Sequence, residues 1–116
     1  MKFIEAAPFT RKRPRLMTDG ELGALLAHLA QHPQAGDPIP GTNGLRKVRW
    51  ANSQRQKGKR SGSRTIYLHI DLAGTIHLLT IYDHEERGDL SAADKRALAH
   101  MARDLKQLAK KARGKQ

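Results

Sequence analysis

Two eight-residue runs separated by three residues constrain this chain most. The first is Arg64–Asp71, Arg-Thr-Ile-Tyr-Leu-His-Ile-Asp, and the second is Thr75–Tyr82, Thr-Ile-His-Leu-Leu-Thr-Ile-Tyr. Both are rich in the β-branched and aromatic types that suit a pleated strand. The connection, Leu72-Ala73-Gly74, reads as a tight hairpin link. A third strand is predicted upstream at Leu45–Ala51. It reaches Arg64 through Asn52–Ser63, a polar, basic, Gly/Ser-rich stretch that reads as a mobile hairpin tip. The three strands make an antiparallel meander.

Helices flank this meander. Thr18-Asp19-Gly20-Glu21 has the Thr-x-x-Glu form of a capping box, in which each side chain satisfies the other's free backbone N–H. Leu22, Leu25, Leu26 and Leu29 follow at helical spacing and predict a core-facing stripe. Pro33 ends that helix, and 35–44 is a Gly/Pro loop. Ser91, with Asp94 three residues on, starts a long helix over about 92–112 whose stripe is Leu98, Met101, Leu105 and Leu108. Residues 2–7 are a short first strand ended by Pro8, and Pro14 argues against a long helix through the basic stretch 10–15. The order strand, helix, three strands, helix predicts an α+β domain: a small antiparallel sheet with helices packed on one face.

With 116 residues the chain is one domain's worth, 1–116. Aromatics are only 4%, so the core must be aliphatic. The absence of cysteine excludes a disulfide scaffold, a thiolate zinc site and a cysteine nucleophile. No run of about 18 apolar residues exists, and the N-terminus lacks a secretory pattern, so a soluble cytoplasmic protein is expected.

Charge says more about partners than about fold. The formal net charge is +11, from 22 Lys plus Arg and 11 Asp plus Glu. No acidic residue lies between Asp37 and Asp71, a window that holds Arg46, Lys47, Arg49, Arg55, Lys57, Lys59, Arg60 and Arg64. A second cluster is Arg11, Lys12, Arg13 and Arg15, and a third is Lys106, Lys110, Lys111, Arg113 and Lys115. Uncompensated clusters of this kind point to a polyanion. Side chains alternate along a strand, so Lys47 and Arg49 share a face. The apolar row Ile66, Leu68, Ile70 is expected to meet the helices together with Val48 and Trp50. That would leave Lys47 and Arg49 on an open face near Tyr67 and His69.

Four stretches carry a resemblance. They are Gly41-Thr42-Asn43-Gly44-Leu45-Arg46-Lys47-Val48-Arg49-Trp50, Lys57-Gly58-Lys59-Arg60-Ser61-Gly62-Ser63-Arg64-Thr65-Ile66-Tyr67, Leu78-Leu79-Thr80-Ile81-Tyr82 and Asp89-Leu90-Ser91. In this order they resemble the HigB branch of the RelE/ParE toxin superfamily, over about Phe9 to Leu108. The resemblance implies the toxin of a type II toxin–antitoxin pair that enters the ribosomal A site and cuts mRNA, halting translation. It implies a cognate helix-turn-helix antitoxin as partner, with operator DNA reached only through that complex. It implies no cofactor and no metal. Lys47, Arg49 and Arg64 match the cations that carry much of the site in RelE relatives. His84 stands where those relatives have a further basic residue, and is the candidate general acid or base, with His69 and Tyr67 as runners-up. Arg46, Arg55, Lys57, Lys59, Arg60, Arg11, Lys12 and Arg13 are the candidate RNA- and ribosome-binding residues. The competing readings are a ParE-like inhibitor of DNA gyrase and a non-enzymatic nucleic-acid-binding module.

Other residues have plainer explanations. His28 and His32 lie i, i+4 on a helix but lack a carboxylate at ligand spacing. Trp50 reads as core. The acids Asp83, Glu85, Glu86 and Asp89 read as partners of neighbouring cations, with Asp89 placed to cap the last helix.

Overall fold

A computed structural model of the chain describes residues 1–50 and 62–114. Its elements in chain order are β1 (Lys2–Glu5), α1 (Ala7–Leu16), α2 (Asp19–Gln31), β2 (Asp37–Pro38), β3 (Leu45–Trp50), β4 (Ser63–Ile70), β5 (Thr75–Asp83) and α3 (Ala92–Gly114). The sheet has five strands in the order β1-β5-β4-β3-β2. β3, β4 and β5 form the expected antiparallel meander, and β1 runs parallel to β5 with Lys2 beside Thr75. The class is the α+β one read from the sequence. Among the described residues no helix is long and apolar enough to cross a membrane. Residues 51–61, which carry most of the predicted hairpin tip and the candidates Arg55, Lys57, Lys59 and Arg60, lie outside the described residues.

The helices do not share one face as expected. Phe9 and Leu16 of α1 and Leu25 and Leu29 of α2 pack with Val48, Tyr67, Ile76, Leu78 and Ile81. Leu98 and Ala102 of α3 pack with Leu45, Ile66, Leu68, Ile70 and Leu79 on the other face. The physical reason is visible in β4 and β5. Every residue of β4 except His69 is buried, and only His77 and Thr80 of β5 are not. A strand buried on both sides needs a layer on each.

Local chemistry explains the element boundaries. The capping box at Thr18 forms as expected: the Glu21 backbone N–H donates to Thr18 Oγ1 at 3.1 Å, and the Thr18 N–H donates to Glu21 Oε1 at 2.8 Å. Ser91 and Asp94 cap α3 in the same reciprocal way, at 3.0 and 3.1 Å. Two helical readings are corrected. α1 is a ten-residue helix that contains Pro14. Pro8 occupies its first turn, where a missing N–H costs nothing, and Pro14 stands three residues before the C-cap Met17, so the helix ends within a turn of it. On α3 the buried stripe is Leu98, Ala102, Leu105 and Ala109, whereas Met101 and Leu108 are exposed. The helix alternates leucine and alanine against the sheet and turns Met101 and Leu108 out.

Strand β2 was not anticipated. It has two residues, pairs Asp37 with Lys47 and Pro38 with Arg46, and closes the sheet edge beside β3. A two-residue edge carrying a proline leaves little backbone open to another chain.

Candidate active site

The β3–β4 register decides which cations meet. Lys47 pairs with Ile66, and Arg49 lies directly opposite Arg64. Directly paired residues point to the same face. Lys47, Arg49 and Arg64 therefore share the α3 face with Ile66 and Leu68. Val48 and Trp50 share the α1/α2 face with Tyr67 instead. This corrects the expected grouping, and the correction brings the three candidate cations together. α3 covers only the Leu45–Leu68 end of this face. The Arg49–Arg64 end is where the cations gather.

Two guanidinium groups directly opposite each other on neighbouring strands repel. Arg49 is exposed, but Arg64 retains only 7% of its accessible surface. Arg64 donates to the Gly62 carbonyl at 2.9 Å and to that of Ser63 at 3.4 Å. Burial first, and then the Arg49 guanidinium, press the Arg64 guanidinium below its ordinary value, while Tyr82 and Asp83 act the other way. Arginine stays protonated under such pressure. The site thus holds a desolvated, hydrogen-bonded positive charge beside a second, exposed one.

Tyr82 completes the cluster, and it was not among the candidates. It pairs with Arg64 across the β4–β5 ladder and is buried. Burial first, and then Asp89, push its phenol up to about 12, so it keeps its proton at neutral pH. The hydroxyl donates to Asp89 Oδ1 at 3.5 Å. The same carboxylate lies 3.5 Å from Lys47 Nζ and 3.8 Å from Lys95 Nζ. Its pKa is held below the ordinary carboxylate value, first by the Leu90 N–H at 2.7 Å and then by the two ammonium groups. Asp89 is therefore a hub that fixes Lys47 and Tyr82, not the cap of α3. The signal for Tyr82 lay in the Leu-Leu-Thr-Ile-Tyr run, whose last residue ends up opposite Arg64 once the hairpin is registered.

His84 follows β5 immediately. Its backbone N–H points to the Gly62 carbonyl at 3.5 Å, two residues before Arg64. Its Nδ1 is buried without a hydrogen-bond partner among the described residues. The two runners-up sit on the opposite face. Tyr67 is fully buried, accepting from the Gly36 N–H at 2.9 Å and donating to the Pro33 carbonyl at 2.8 Å, which is a structural latch. His69 lines a cleft of about 550 Å³ with His28 and His32. Among the described residues, no three histidine or carboxylate side chains gather to hold a metal ion. Trp50 is half-buried against the α1/α2 core, its ring 5.6 Å from that of His28.

The remaining basic candidates are scattered. Arg46 faces away from Lys47 and latches the 34–36 loop, donating to the Gly36 carbonyl at 2.8 Å. Arg13 pairs with Asp19 at 2.7 Å, and Arg15 with Glu86 at 3.0 Å. Arg11 is exposed and Lys12 half-buried on α1.

No family model matches the chain. Solved structures of similar fold exist. E. coli RelE in the intact RelBE toxin–antitoxin complex aligns at 16% identity and a TM-score of 0.53, over 69% of this chain and 92% of that one. A double arginine-to-alanine variant of E. coli RelE in the free state aligns at 15% identity and a TM-score of 0.55, over 75% and 86%. Isolated E. coli RelE aligns at 14% identity and a TM-score of 0.54, over 86% and 97%. At these identities the likeness is one of fold: this chain has the fold of the RelE toxin.

Proposed function

We propose that this chain is the toxin of a type II toxin–antitoxin pair, of the HigB branch of the RelE/ParE superfamily, and cleaves mRNA on the ribosome in the cytoplasm. One observation carries the reading. Arg64 is desolvated and held directly opposite Arg49, with Lys47 and the protonated Tyr82 on the same face. Repulsion built into a sheet at that point is relieved by an anion, and a scissile phosphate is an anion whose charge grows during reaction. The RelE-like fold and the quoted sequence runs support the choice of substrate.

In the proposed reaction the 2′-hydroxyl of a nucleotide attacks its own 3′-phosphate. The O–P bond to the next nucleotide breaks, leaving a 2′,3′-cyclic phosphate and a free 5′-hydroxyl. Lys47 and Arg49 hold the backbone, and Arg64 stabilises the charge on the phosphoryl oxygens, preorganised by its bonds to the Gly62 and Ser63 carbonyls. His84, whose backbone N–H faces the Gly62 carbonyl beside Arg64, moves the proton as general acid or base. Tyr82 and Asp89 position Lys47. No step calls for a metal or cofactor. The partner is an antitoxin, a proposal supported by the RelBE toxin–antitoxin complex among the structures of like fold, and of the helix-turn-helix type that the sequence resemblance implies.

The test is mRNA scission by purified protein on programmed ribosomes, read by primer extension. The wild type cuts within the A-site codon, and Arg64→Ala lowers the cut by about 10²–10³. Equal cutting by Arg64→Ala overturns the reading. So does growth arrest by DNA damage with protein synthesis intact, which would make the chain a gyrase inhibitor.

A further inference from the structure

The Gly41-Thr42-Asn43-Gly44 loop is part of the family-like pattern, yet the site above does not use it. The loop lies against the flank of α3. Asn43 and Gly44 both have positive φ, of 61° and 100°, and the Asn43 side-chain amide donates to the Ala99 carbonyl of α3 at 3.0 Å. Thr42 is buried, and its hydroxyl donates to the Ile39 carbonyl at 2.5 Å. Loop and helix enclose a cleft of about 270 Å³, whose cationic side chains are Lys95, Arg96 and Arg103. His100 joins them, with its Nδ1 2.7 Å from Arg103. Asp104 flanks the cleft, 3.7 Å from His100 and 4.0 Å from Arg103. Ala99 is the one apolar side chain besides Pro40 among the residues named as lining it.

We infer that this cleft is a second phosphate subsite, which takes the single-stranded RNA backbone as it leaves the candidate active site. The inference rests on the proposed function. Three features favour it. The lining is cationic and polar, with no apolar seat for a folded protein segment. Arginine, which contributes two of the side chains, suits phosphate through its planar fork. The cleft also adjoins the active face: Lys95, on its wall, shares the Asp89 carboxylate with Lys47. A strand held at Lys47 and Arg64 thus meets the cleft one side chain further on. The loop supplies the opposite wall, tied to α3 by the Asn43–Ala99 hydrogen bond.

The test measures binding of a fluorescent single-stranded 2′-O-methyl RNA, which lacks the attacking hydroxyl, across a salt series. Each phosphate contact on a single strand contributes about 0.7 to the slope of log affinity against log salt. The Arg96→Ala/Arg103→Ala variant is expected to lower that slope by about 1.4. Arg96→Lys/Arg103→Lys keeps the charge and keeps the wild-type slope. A wild-type slope in the alanine variant overturns the inference. Loss of a glutamate-rich peptide's binding with the RNA slope unchanged also overturns it, and assigns the cleft to an acidic protein. Repeating the pair in an Arg64→Ala background separates the two proposals. If the slope change survives there, the cleft stands whatever the outcome of the cleavage assay; if scission is intact and the slope unchanged, the cleft alone falls.

Discussion

The two faces of the sheet are built from alternate residues of the same strands, and they have opposite characters. The α1/α2 face is sealed: Phe9, Leu16, Leu25, Leu29 and Tyr67 are all within 1% of complete burial. Its polar groups, such as the Tyr67 hydroxyl, are spent on latching loops. The α3 face is divided. One end is apolar and lies under α3; the other collects Lys47, Arg49, Arg64 and Tyr82. A single strand, β4, serves both, because Tyr67 and Arg64 differ in parity. The difference teaches that stability and chemistry are separated here by side-chain alternation, not by distance along the chain.

That separation can be attacked from either side. The largest expected effect is on the divided face: Arg64→Ala should lower ribosome-dependent cleavage by about 10²–10³, the scale of losing one preorganised charge-stabilising donor. The far-ultraviolet circular dichroism spectrum should stay that of the wild type. A comparable loss of cleavage from Tyr67→Phe would break the comparison, since that residue belongs to the sealed face. Leu29→Ala, on the sealed face, should cost about 2–5 kcal/mol in denaturant unfolding through the cavity it leaves. Thr18→Ala removes one half of the α2 capping box and should cost about 1 kcal/mol. Arg49→Ala sharpens the contrast. It should gain about 0.2–1 kcal/mol of stability by removing the like charge opposite Arg64, while it loses cleavage.

Alkaline titration probes both faces, since burial raises the Tyr67 phenol as well, and Tyr82→Phe isolates the divided one. The Tyr82 phenol ionises at about 12 in the fold and near 10 in an unfolded chain. Between those values the folded chain holds the extra proton, so this contribution to stability is complete below about pH 10 and is lost as pH rises toward 12. Absorbance of tyrosinate should show a late step that Tyr82→Phe removes. Asp89→Asn should move that step to lower pH, because the neighbouring carboxylate adds to the upward push of burial.

Much of this was legible in the residues. Thr18 and Glu21 announced α2 through a local bonding pattern that needs no tertiary context. The β4–β5 hairpin was set by strand-forming types around a short link. Lys47, Arg49 and Arg64 were recognisable as a set from the family-like runs. The face they occupy was not, because relative parity across β3 and β4 depends on register, and the connecting residues 51–61 carry no pattern that fixes it. α1 escaped notice because Pro14 reads as a breaker unless the helix is known to end beside it. On α3, Met101 and Leu108 outweighed Ala102 and Ala109 on hydrophobicity, although close packing on the sheet favours the smaller residues. Tyr82 and Asp89 meet only in three dimensions.

β1 lies beside β5, with Lys2 against Thr75. Lys2–Glu5 thus wait for a partner made about seventy residues later, and non-local pairing of this kind forms slowly. A chain still being synthesised cannot complete this edge before Thr75–Leu78 has emerged. The parallel edge of the sheet therefore closes late, however early Lys2–Glu5 are made.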